Sequence, residues 1–489
     1  MKIMRFSALV ALLVAAIMMP SCGETFRPIT TPILLPSGTP NRINTVVVVS
    51  SANITDPTQA QPALAQHINL SGDTVSAVVQ LGYNPNFAFD NPLTLRTTVS
   101  NTGPNGSGPS TISQYSTPVP SFNGATLISL PPNTAVGKKI YSNSGSFIYV
   151  VLFTASADCA TSTVRYSIGV IDTNNNFFAK TIQLTDPCAV PSAMVGTPDG
   201  LHLYIADSLG NKVYIIDQND NSVLPSPIVV GTNPQDMAIT ADGSTIYVMN
   251  QGSNDLTIIN TTTNSVVNNP PSIGTHPLKL LYDKKLLRLY VLNQGSSTTT
   301  AGSLSIIGAD PKDTAAGGFF NKNIVPDVAV GIDPVDLATL PNGSFVYILN
   351  RGDRNITVLN TLNNTKLLNN IIIGTIDHTD VNTGHSIKGT YFYPISISAS
   401  DDSSRIAVAI RDPLFTPSLN PANKIAVGDQ NIVPPLTRGD GNAIWTIDTS
   451  TNQPLVMIPT PQVSSSTCNS TSISINQTCT LMQPMFVLR

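Results

Sequence analysis

Charged and polar side chains recur at fixed offsets from a repeated proline in the middle of the chain. Each lies either directly before such a proline or two residues after it: Asn233, Asp236, His276, Lys279, Asp333 and Asp336. If the repeats that carry them share an axis, these side chains lie at the mouth of a central channel. Asp236 and Asp336, joined by Asp333, would then form a polar or cation-binding site. The alternative is a water-filled polar lining with one ion pair to Lys279.

The elements that must position these residues form an internal repeat. Tyrosines followed by apolar residues and then Asn or Asp occur at 204, 247, 290 and 347, and the first three are 43 residues apart. A second apolar run follows each of them, and a third run ends on glycine, as at Gly231. A proline three residues later starts the next unit.

The length and content of each unit indicate a particular architecture. Each holds about four short strand-forming runs between Asp-Gly or Asn-Gly turns, and none shows a helical periodicity. Repeats of roughly 40–45 residues with four strands are typical of propeller blades. Because one such sheet cannot bury both of its faces, blades must stack around an axis. The sequence therefore predicts an all-β fold, a β-propeller.

The number of blades follows from the second strand of each unit. Such strands are predicted near residues 46, 97, 149, 204, 247, 290, 347 and 407, which gives eight blades. Seven blades result if residues 85–130 are an elaboration of a neighbouring unit. The first unit lacks the strand that follows a proline elsewhere, and residues 483–488 have its character. We therefore expect the C-terminal strand to close the ring.

The repeat also resembles a known family. Tyr247-Val-Met-Asn250 and Tyr290-Val-Leu-Asn293 are similar to the YVTN-type β-propeller repeat, and the similarity extends over about residues 190–375. The resemblance implies the propeller fold. Proteins with this repeat include binding proteins, surface-layer components and relatives of lactonases and oxidases, so the resemblance leaves the function open.

The N-terminus resembles a bacterial lipoprotein signal peptide over residues 1–22. A basic start precedes an apolar run from Phe6 to Met19, and Ser21-Cys22-Gly23 follows it. The resemblance implies that Cys22 is lipidated and that the protein lies in the bacterial cell envelope, periplasmic or at the cell surface. The alternative is an ordinary secretory peptide with an incidental cysteine. Prolines among Thr and Ser predict a semi-extended tether over 23–43, followed by a single propeller domain over 44–489.

Composition excludes one class of partner. Charged residues make up 11% of the chain, and the 25 Lys and Arg leave a formal net charge of −4. A nucleic-acid-binding protein would need a basic surface that this composition does not offer, so we expect no nucleic-acid partner.

The cysteines predict disulfides. Apart from Cys22 the chain has Cys159, Cys188, Cys468 and Cys479. Pairing 159 with 188 and 468 with 479 closes the shortest loops of the three possible connectivities. A metal site is the alternative, but no Cys-x-x-Cys or histidine cluster accompanies these residues.

Several smaller motifs have structural explanations. Arg351-Gly352-Asp353 matches an integrin-type adhesion tripeptide, but it aligns with the residues that follow Asn250 and Asn293 in other repeats. It is therefore predicted to be an ordinary turn. The side chains of these asparagines are expected to hydrogen-bond their own turns.

The sequence favours a binding or scaffold module over an enzyme. Insertions near residues 296–325, 375–390 and 412–440 would supply contacts to protein or glycan partners. We expect a monomer that contacts the membrane through its lipid anchor only and that needs no cofactor. The alternative is a lactonase- or oxidase-like enzyme acting at the mouth of the channel.

Overall fold

The structure is a computed structural model. It describes residues 45–52, 62–70, 74–91, 95–103, 110–117, 124–141, 145–159, 162–267, 270–314, 318–367, 370–373, 375–380, 386–391, 393–411, 425–427, 443–459 and 482–488. These residues form eight antiparallel blades and one additional three-stranded sheet, without helices. The predicted all-β propeller with eight blades is confirmed. The described strands within 85–130 form a four-stranded blade of their own, so the seven-blade alternative is wrong.

The blades are numbered along the chain, and their strands are given from the axis outward. Blade 1 contains Met482–Leu488, Thr45–Ala52, Leu64–Asn69 and Thr74–Gln80. Blade 2 contains Pro85–Asn91, Arg96–Asn101, Thr111–Ser116 and Thr126–Ser129. Blade 3 contains Ala135–Tyr141, Phe147–Cys159, Ser162–Asp172 and Phe177–Ile182. Blade 4 contains Pro191–Gly196, His202–Asp207, Lys212–Asp217, and an outer strand in two parts, Ser222–Val223 and Ile228–Val229.

Blades 5 to 8 repeat this arrangement. Blade 5 contains Pro234–Ile239, Thr245–Asn250, Asp255–Asn260 and Ser265–Val267. Blade 6 contains Pro277–Asp283, Arg288–Asn293, Ala301–Gly308 and Val328–Ile332. Blade 7 contains Pro334–Thr339, Phe345–Asn350, Asn355–Asn360, Thr365–Lys366 and Ile371–Ile372. Blade 8 contains Tyr393–Ala399, Arg405–Arg411, Ala443–Asp448 and Gln453–Pro459.

The inner strands form a closed circle. Each contacts the inner strand of the next blade, and the inner strand of blade 8 contacts Met482–Leu488, which in turn contacts Pro85–Asn91 of blade 2. Met482–Leu488 pairs antiparallel with Thr45–Ala52, from Val47 opposite Leu488 to Ala52 opposite Met482. The predicted closure by the C-terminal strand is therefore confirmed, and blade 1 gains a partner along what would otherwise be an exposed edge.

The core lies between adjacent blades. Side chains alternate along the second strand of blade 4, so that Leu203 and Ile205 pack against blade 3 while Tyr204 and Ala206 pack against blade 5. These four residues are fully or almost fully buried. Burying a large apolar side chain of this kind contributes about 1.5–3 kcal/mol, so the packed interfaces between blades stabilise the ring.

The alternation of strand direction gives the disc two faces. Connections from the inner to the second strand and from the third to the outer strand emerge at one end. We call this end the entry face, because the first described strand, Thr45–Ala52, begins there. Connections from the second to the third strand, and from one blade to the next, emerge at the opposite end, the distal face.

Two of the predicted insertions meet on the distal face. The strands Thr375–Asp380 and Ser386–Tyr391 lie in the connection from blade 7 to blade 8, and Ile425–Val427 lies between the second and third strands of blade 8. They form one three-stranded sheet, the accessory sheet, in which His378 is opposite Val427.

The stretch near 296–325 is arranged differently. It contains Ala301–Gly308, the third strand of blade 6, and so comprises two separate connections. Residues 296–300 lie on the distal face, whereas residues 309–314 and 318–325 lie on the entry face, where Ile307 and Asn323 form a β-bridge.

The disulfide between Cys159 and Cys188 is present, as predicted. It joins the end of the second strand of blade 3 to the connection that leads into blade 4, with a Cα–Cα distance of 5.6 Å. Cys22, Cys468 and Cys479 lie outside the described residues. In the part of the chain that the structure describes, no helix is long and apolar enough to span a membrane.

Candidate functional site

The residues before the prolines lie at the distal ends of the inner strands. Asn233, His276 and Asp333 all adopt left-handed backbone conformations, with φ of 54°, 49° and 48°. Their carbonyls accept hydrogen bonds from the backbone N–H groups of residues 251, 294 and 351 in the loop after the second strand. These three positions therefore reverse the chain so that each proline can begin an inner strand opposite the asparagine that ends the second strand.

Asp333 is buried and fully engaged. Its Oδ2 accepts a hydrogen bond from Arg351 Nε at 2.7 Å, and its Oδ1 accepts one from Gln294 Nε2 at 2.9 Å. Gln294 belongs to blade 6, so this carboxylate links two blades. Asn233 and His276 differ from it: Asn233 Oδ1 accepts from the neighbouring Gln235, and the side chain of His276 is exposed.

Asp236 connects blade 5 to blade 6. Its Oδ2 accepts the backbone N–H of Leu280 at 3.0 Å, and its Oδ1 accepts that of Met237. An N–H at the innermost edge of a blade has no further strand to bond with, and a buried unpaired donor is costly. Asp236 therefore accepts a hydrogen bond from the Leu280 N–H, which would otherwise have no partner at the inner edge of its blade.

Asp336 plays the same part between blades 7 and 8 and also binds a lysine of blade 6. Its Oδ2 accepts from Ile397 N at 3.0 Å and from Ser396 Oγ at 3.2 Å. Its Oδ1 accepts from Leu337 N at 2.9 Å and forms an ion pair with Lys279 Nζ. The ion pair to Lys279 that the sequence offered as an alternative is present.

The structure therefore distributes the predicted site residues along the ring. Asp236 and Asp336 belong to blades 5 and 7, with Lys279 of blade 6 between those blades, and each carboxylate bonds to the inner strand of the following blade. Within the described ranges, no three His, Cys, Asp or Glu side chains converge in an arrangement that could hold a metal ion. The observed geometry fits a chain of inter-blade links.

The asparagines that end the second strands donate hydrogen bonds within their own blades. Asn250 Nδ2 donates to Asp255 Oδ1 at 2.7 Å and to Thr257 Oγ1 at 2.9 Å, on the adjacent third strand. Asn350 makes the matching bonds to Asn355 and Thr357. The local hydrogen bonds expected of these asparagines are thus observed, with the partners extending beyond the turn into the third strand.

The Arg351-Gly352-Asp353 tripeptide is a turn, as predicted. Arg351 pairs with Asp333, and Asp353 Oδ2 accepts the backbone N–H of Ile332 at 2.8 Å. Both charged side chains are therefore occupied in holding the loop to the segment that leads into the inner strand of the same blade.

Sequence reasoning missed a second set of inter-blade contacts, made by the repeat tyrosines. Each of four hydroxyls donates to an asparagine Oδ1 in the turn between the third and outer strands of the next blade. The pairs are Tyr149–Asn221, Tyr204–Asn264, Tyr247–Asn321 and Tyr347–Asn452, at 2.5–2.8 Å. All four asparagines have positive φ, from 51° to 60°. Burial raises the pKa of Tyr149 and of Tyr204 to about 12, so these hydroxyls stay protonated donors at neutral pH.

Blade 1 carries a buried histidine that contacts blade 2. His67 is 1% exposed, and its Nε2 lies 3.1 Å from the hydroxyl of Tyr115 in blade 2. Burial lowers the pKa of His67 to about 4, so the ring is neutral at physiological pH.

Comparisons with known proteins extend to the fold alone. No protein-family model and no curated protein matches the chain. The dihydro-heme d1 dehydrogenase NirN, solved in complex with DHE, shares 11% sequence identity with this chain. The match covers 93% of this chain and 77% of the NirN chain, with a TM-score of 0.57. The periplasmic gluconolactonase PpgL of Pseudomonas aeruginosa is 16% identical over 67% of this chain and 97% of its own, with a TM-score of 0.47. Hydrazine synthase of Kuenenia stuttgartiensis is 18% identical over 67% of this chain and 92% of its own, with a TM-score of 0.46.

Proposed function

We propose that this protein is a lipid-anchored binding or scaffold module of the bacterial cell envelope, which holds a protein partner on its distal face. The observation that carries this proposal is the accessory sheet. Two insertions that are separated by the first two strands of blade 8 meet there, through pairing of His378 with Val427. The eight blades close without this sheet, so ring stability does not account for it.

The inner-strand carboxylates have structural contacts that account for them without catalysis. A catalytic carboxylate must present a free oxygen to a substrate or a bound water. The carboxylates of Asp236, Asp333 and Asp336 instead accept hydrogen bonds from backbone groups or side chains of neighbouring blades. Loops on a rigid scaffold commonly carry binding contacts, and the distal face presents both the accessory sheet and the loops after the second strands.

The experiment is affinity capture from detergent-solubilised envelope membranes with three forms of the full chain. These are the wild type, a variant in which residues 375–391 are replaced by a short Gly-Ser linker, and Asp236→Asn. We expect the wild type and Asp236→Asn to capture the same protein partner, and the linker variant to lose it while keeping its melting temperature within a few degrees.

Capture by the linker variant equal to that of the wild type would contradict the proposal. The lactonase- or oxidase-like alternative predicts another pattern. In that case Asp236→Asn and Asp336→Asn would abolish turnover or cation binding in a protein that still folds, and the linker variant would stay active.

A further inference from the structure

Large apolar side chains are exposed at four points of the entry face. Phe177, Leu201, Phe319 and Leu362 lie in or beside turns of blades 3, 4, 6 and 7, and they are 48%, 44%, 44% and 92% exposed. Among the described residues, the distal face carries one comparable side chain, Leu209, and the other exposed large apolar residues lie on outer strands. Exposed apolar groups gathered on one face of a protein indicate a surface that is covered in use.

The entry face of blade 4 is acidic at two distances from the propeller axis. Asp199 lies beside Leu201 in the turn between the inner and second strands, which is the turn nearer the axis. Asp217 and Asp220 lie at the turn between the third and outer strands, which is nearer the rim. Residues 197–201 and 217–221, which form these two turns, include no Lys or Arg.

The carboxylates of blade 4 are charged at neutral pH. A hydrogen bond from the Thr197 side chain lowers the pKa of Asp199, and one from the Ser222 side chain lowers the pKa of Asp220. Lys180 of blade 3 reaches this region, where its Nζ donates to the backbone oxygen of Asp220 at 2.9 Å. One lysine against three aspartates leaves this part of the entry face negative.

The entry face of blade 6 has the opposite charge at the same two distances. Its exposed lysines lie in the turn after the inner strand and in the connection after the third strand: Lys284, Lys285, Lys312 and Lys322. Asp283 is buried, whereas Asp310 and Asp313 are half-buried and accept the backbone N–H groups of Lys312 and Phe319. Four exposed lysines against two half-buried carboxylates make this part of the face positive.

Two copies of a propeller can pack entry face to entry face about a two-fold axis that lies between the discs. Such an axis reverses the order of the blades. With blade 5 on the two-fold axis, blade 4 of one copy faces blade 6 of the other, and blade 3 faces blade 7. The acidic turns of blade 4 then meet the basic turns of blade 6 at both distances from the propeller axis. Phe177 meets the partner's Leu362, since both lie at the turn between the third and outer strands.

We propose that two copies of this chain associate through their entry faces in this arrangement. The interface is isologous, so each of these contacts occurs twice. Complementary charge fixes the rotation of one disc on the other, and removal of Phe177 and Leu362 from water adds affinity. The chain itself supplies both signs of charge, which is why a second copy fits this face. The dimer is independent of the lipid anchor, replaces the monomer expected from the sequence and leaves both distal faces open to partners.

Sedimentation equilibrium of the full chain in density-matched detergent tests the dimer. We expect the wild type to be dimeric. Phe177→Lys and Leu362→Glu should each weaken the dimer by about tenfold or more, because each sets a charge against an apolar side chain in both copies of the contact. An equimolar mixture of the two variants should recover a heterodimer. In it Lys and Glu face each other in one contact, and Phe177 still meets Leu362 in the other.

Two further variants test the face and the position of the two-fold axis. Leu209→Lys, at an exposed apolar site on the distal face, should leave the dimer unchanged. Asp242→Asn should strengthen it, because Asp242 is exposed on the entry face of blade 5 and approaches its own copy at the two-fold axis. A monomeric wild type, a mixture that stays monomeric, or a dimer weakened by Leu209→Lys or Asp242→Asn would overturn the proposal.

Discussion

Gly231 lies so close to the side chain of Asn250 that it has no room for a Cβ atom, which would lie 2.5 Å from Asn250 Nδ2. The same relationship recurs around the ring. It joins Gly82 to Asn101, Gly274 to Asn293 and Gly331 to Asn350. In these four cases the glycine that ends an outer run packs directly against the asparagine that ends the following second strand, although about 19 residues separate the two in the sequence.

Gly231→Ala should destabilise the protein by about 1–3 kcal/mol, because the added methyl group must displace Asn250 and Asp255 from a buried hydrogen-bonded cluster. Chemical denaturation measures the change. Gly196→Ala is the matched control, since its Cβ would meet its nearest neighbour at an ordinary 3.5 Å. A loss for Gly196→Ala as large as that for Gly231→Ala would contradict the explanation.

Tyr247→Phe should cost about 1–2 kcal/mol, because it leaves the inward-facing Asn321 Oδ1 without its donor at 2.6 Å. Tyr290 provides the comparison. Its buried hydroxyl does not bond to an asparagine, because Arg288 takes the corresponding acceptor, Asn364. Tyr290→Phe should therefore be close to neutral, and a reversed order of the two losses in urea melts would count against the tyrosine–asparagine contacts.

Burial of His67 should make the folded protein less stable as the pH falls below 6.5. Its pKa is about 4 when folded and about 6.5 when unfolded, so below pH 6.5 the unfolded chain binds a proton that the folded chain does not. Stability should fall by up to about 3 kcal/mol as the pH drops from 6.5 to 4. His67→Gln should flatten this part of a stability–pH profile, whereas His276→Gln, which alters an exposed ring, should not. Profiles of equal slope for wild type and His67→Gln would show that burial of this ring has no such effect.

Asp336→Ala should lower the free energy of unfolding by about 2–3 kcal/mol, since it leaves two backbone N–H groups of adjacent inner strands unpaired. The ion pair adds little to this figure, because the Lys279 side chain is 37% exposed and screened by water. Asp336→Asn keeps one acceptor oxygen and should lose about half as much. If both variants had the same melting temperature as the wild type, the claim that this carboxylate stabilises the contact between blades would be contradicted.

The repeat pattern predicted the blades and favoured eight of them over seven, because the four strands of a unit and their turns are determined by local sequence. The Cys159–Cys188 pair was predictable for a related reason, since both cysteines lie within one unit. Closure could also be predicted, because one unit lacked a strand and residues 483–488 supplied the matching one.

The repeat pattern could not predict the contacts between blades. Tyr247 and Asn321 are 74 residues apart, and blade stacking brings together two positions that no local rule connects. The pairing of residues 378 and 427 is also non-local, because it joins two insertions that the first two strands of blade 8 separate in the sequence. The predicted site of Asp236 and Asp336 was based on position along the inner strands, and that position gives no information on the hydrogen bond that each carboxylate makes to its neighbouring blade.

Both faces exist only if the eight inner strands share one axis, and Met482–Leu488 completes that circle. The most direct measurement is therefore a pair of thermal melts, one of the chain without residues 480–489 and one of the chain without residues 23–40. Removing the closing strand breaks its pairing with Thr45–Ala52 and should cost on the order of 5 kcal/mol, whereas trimming the tether should change stability by less than about 0.5 kcal/mol. Equal losses for the two truncations would contradict the closed ring.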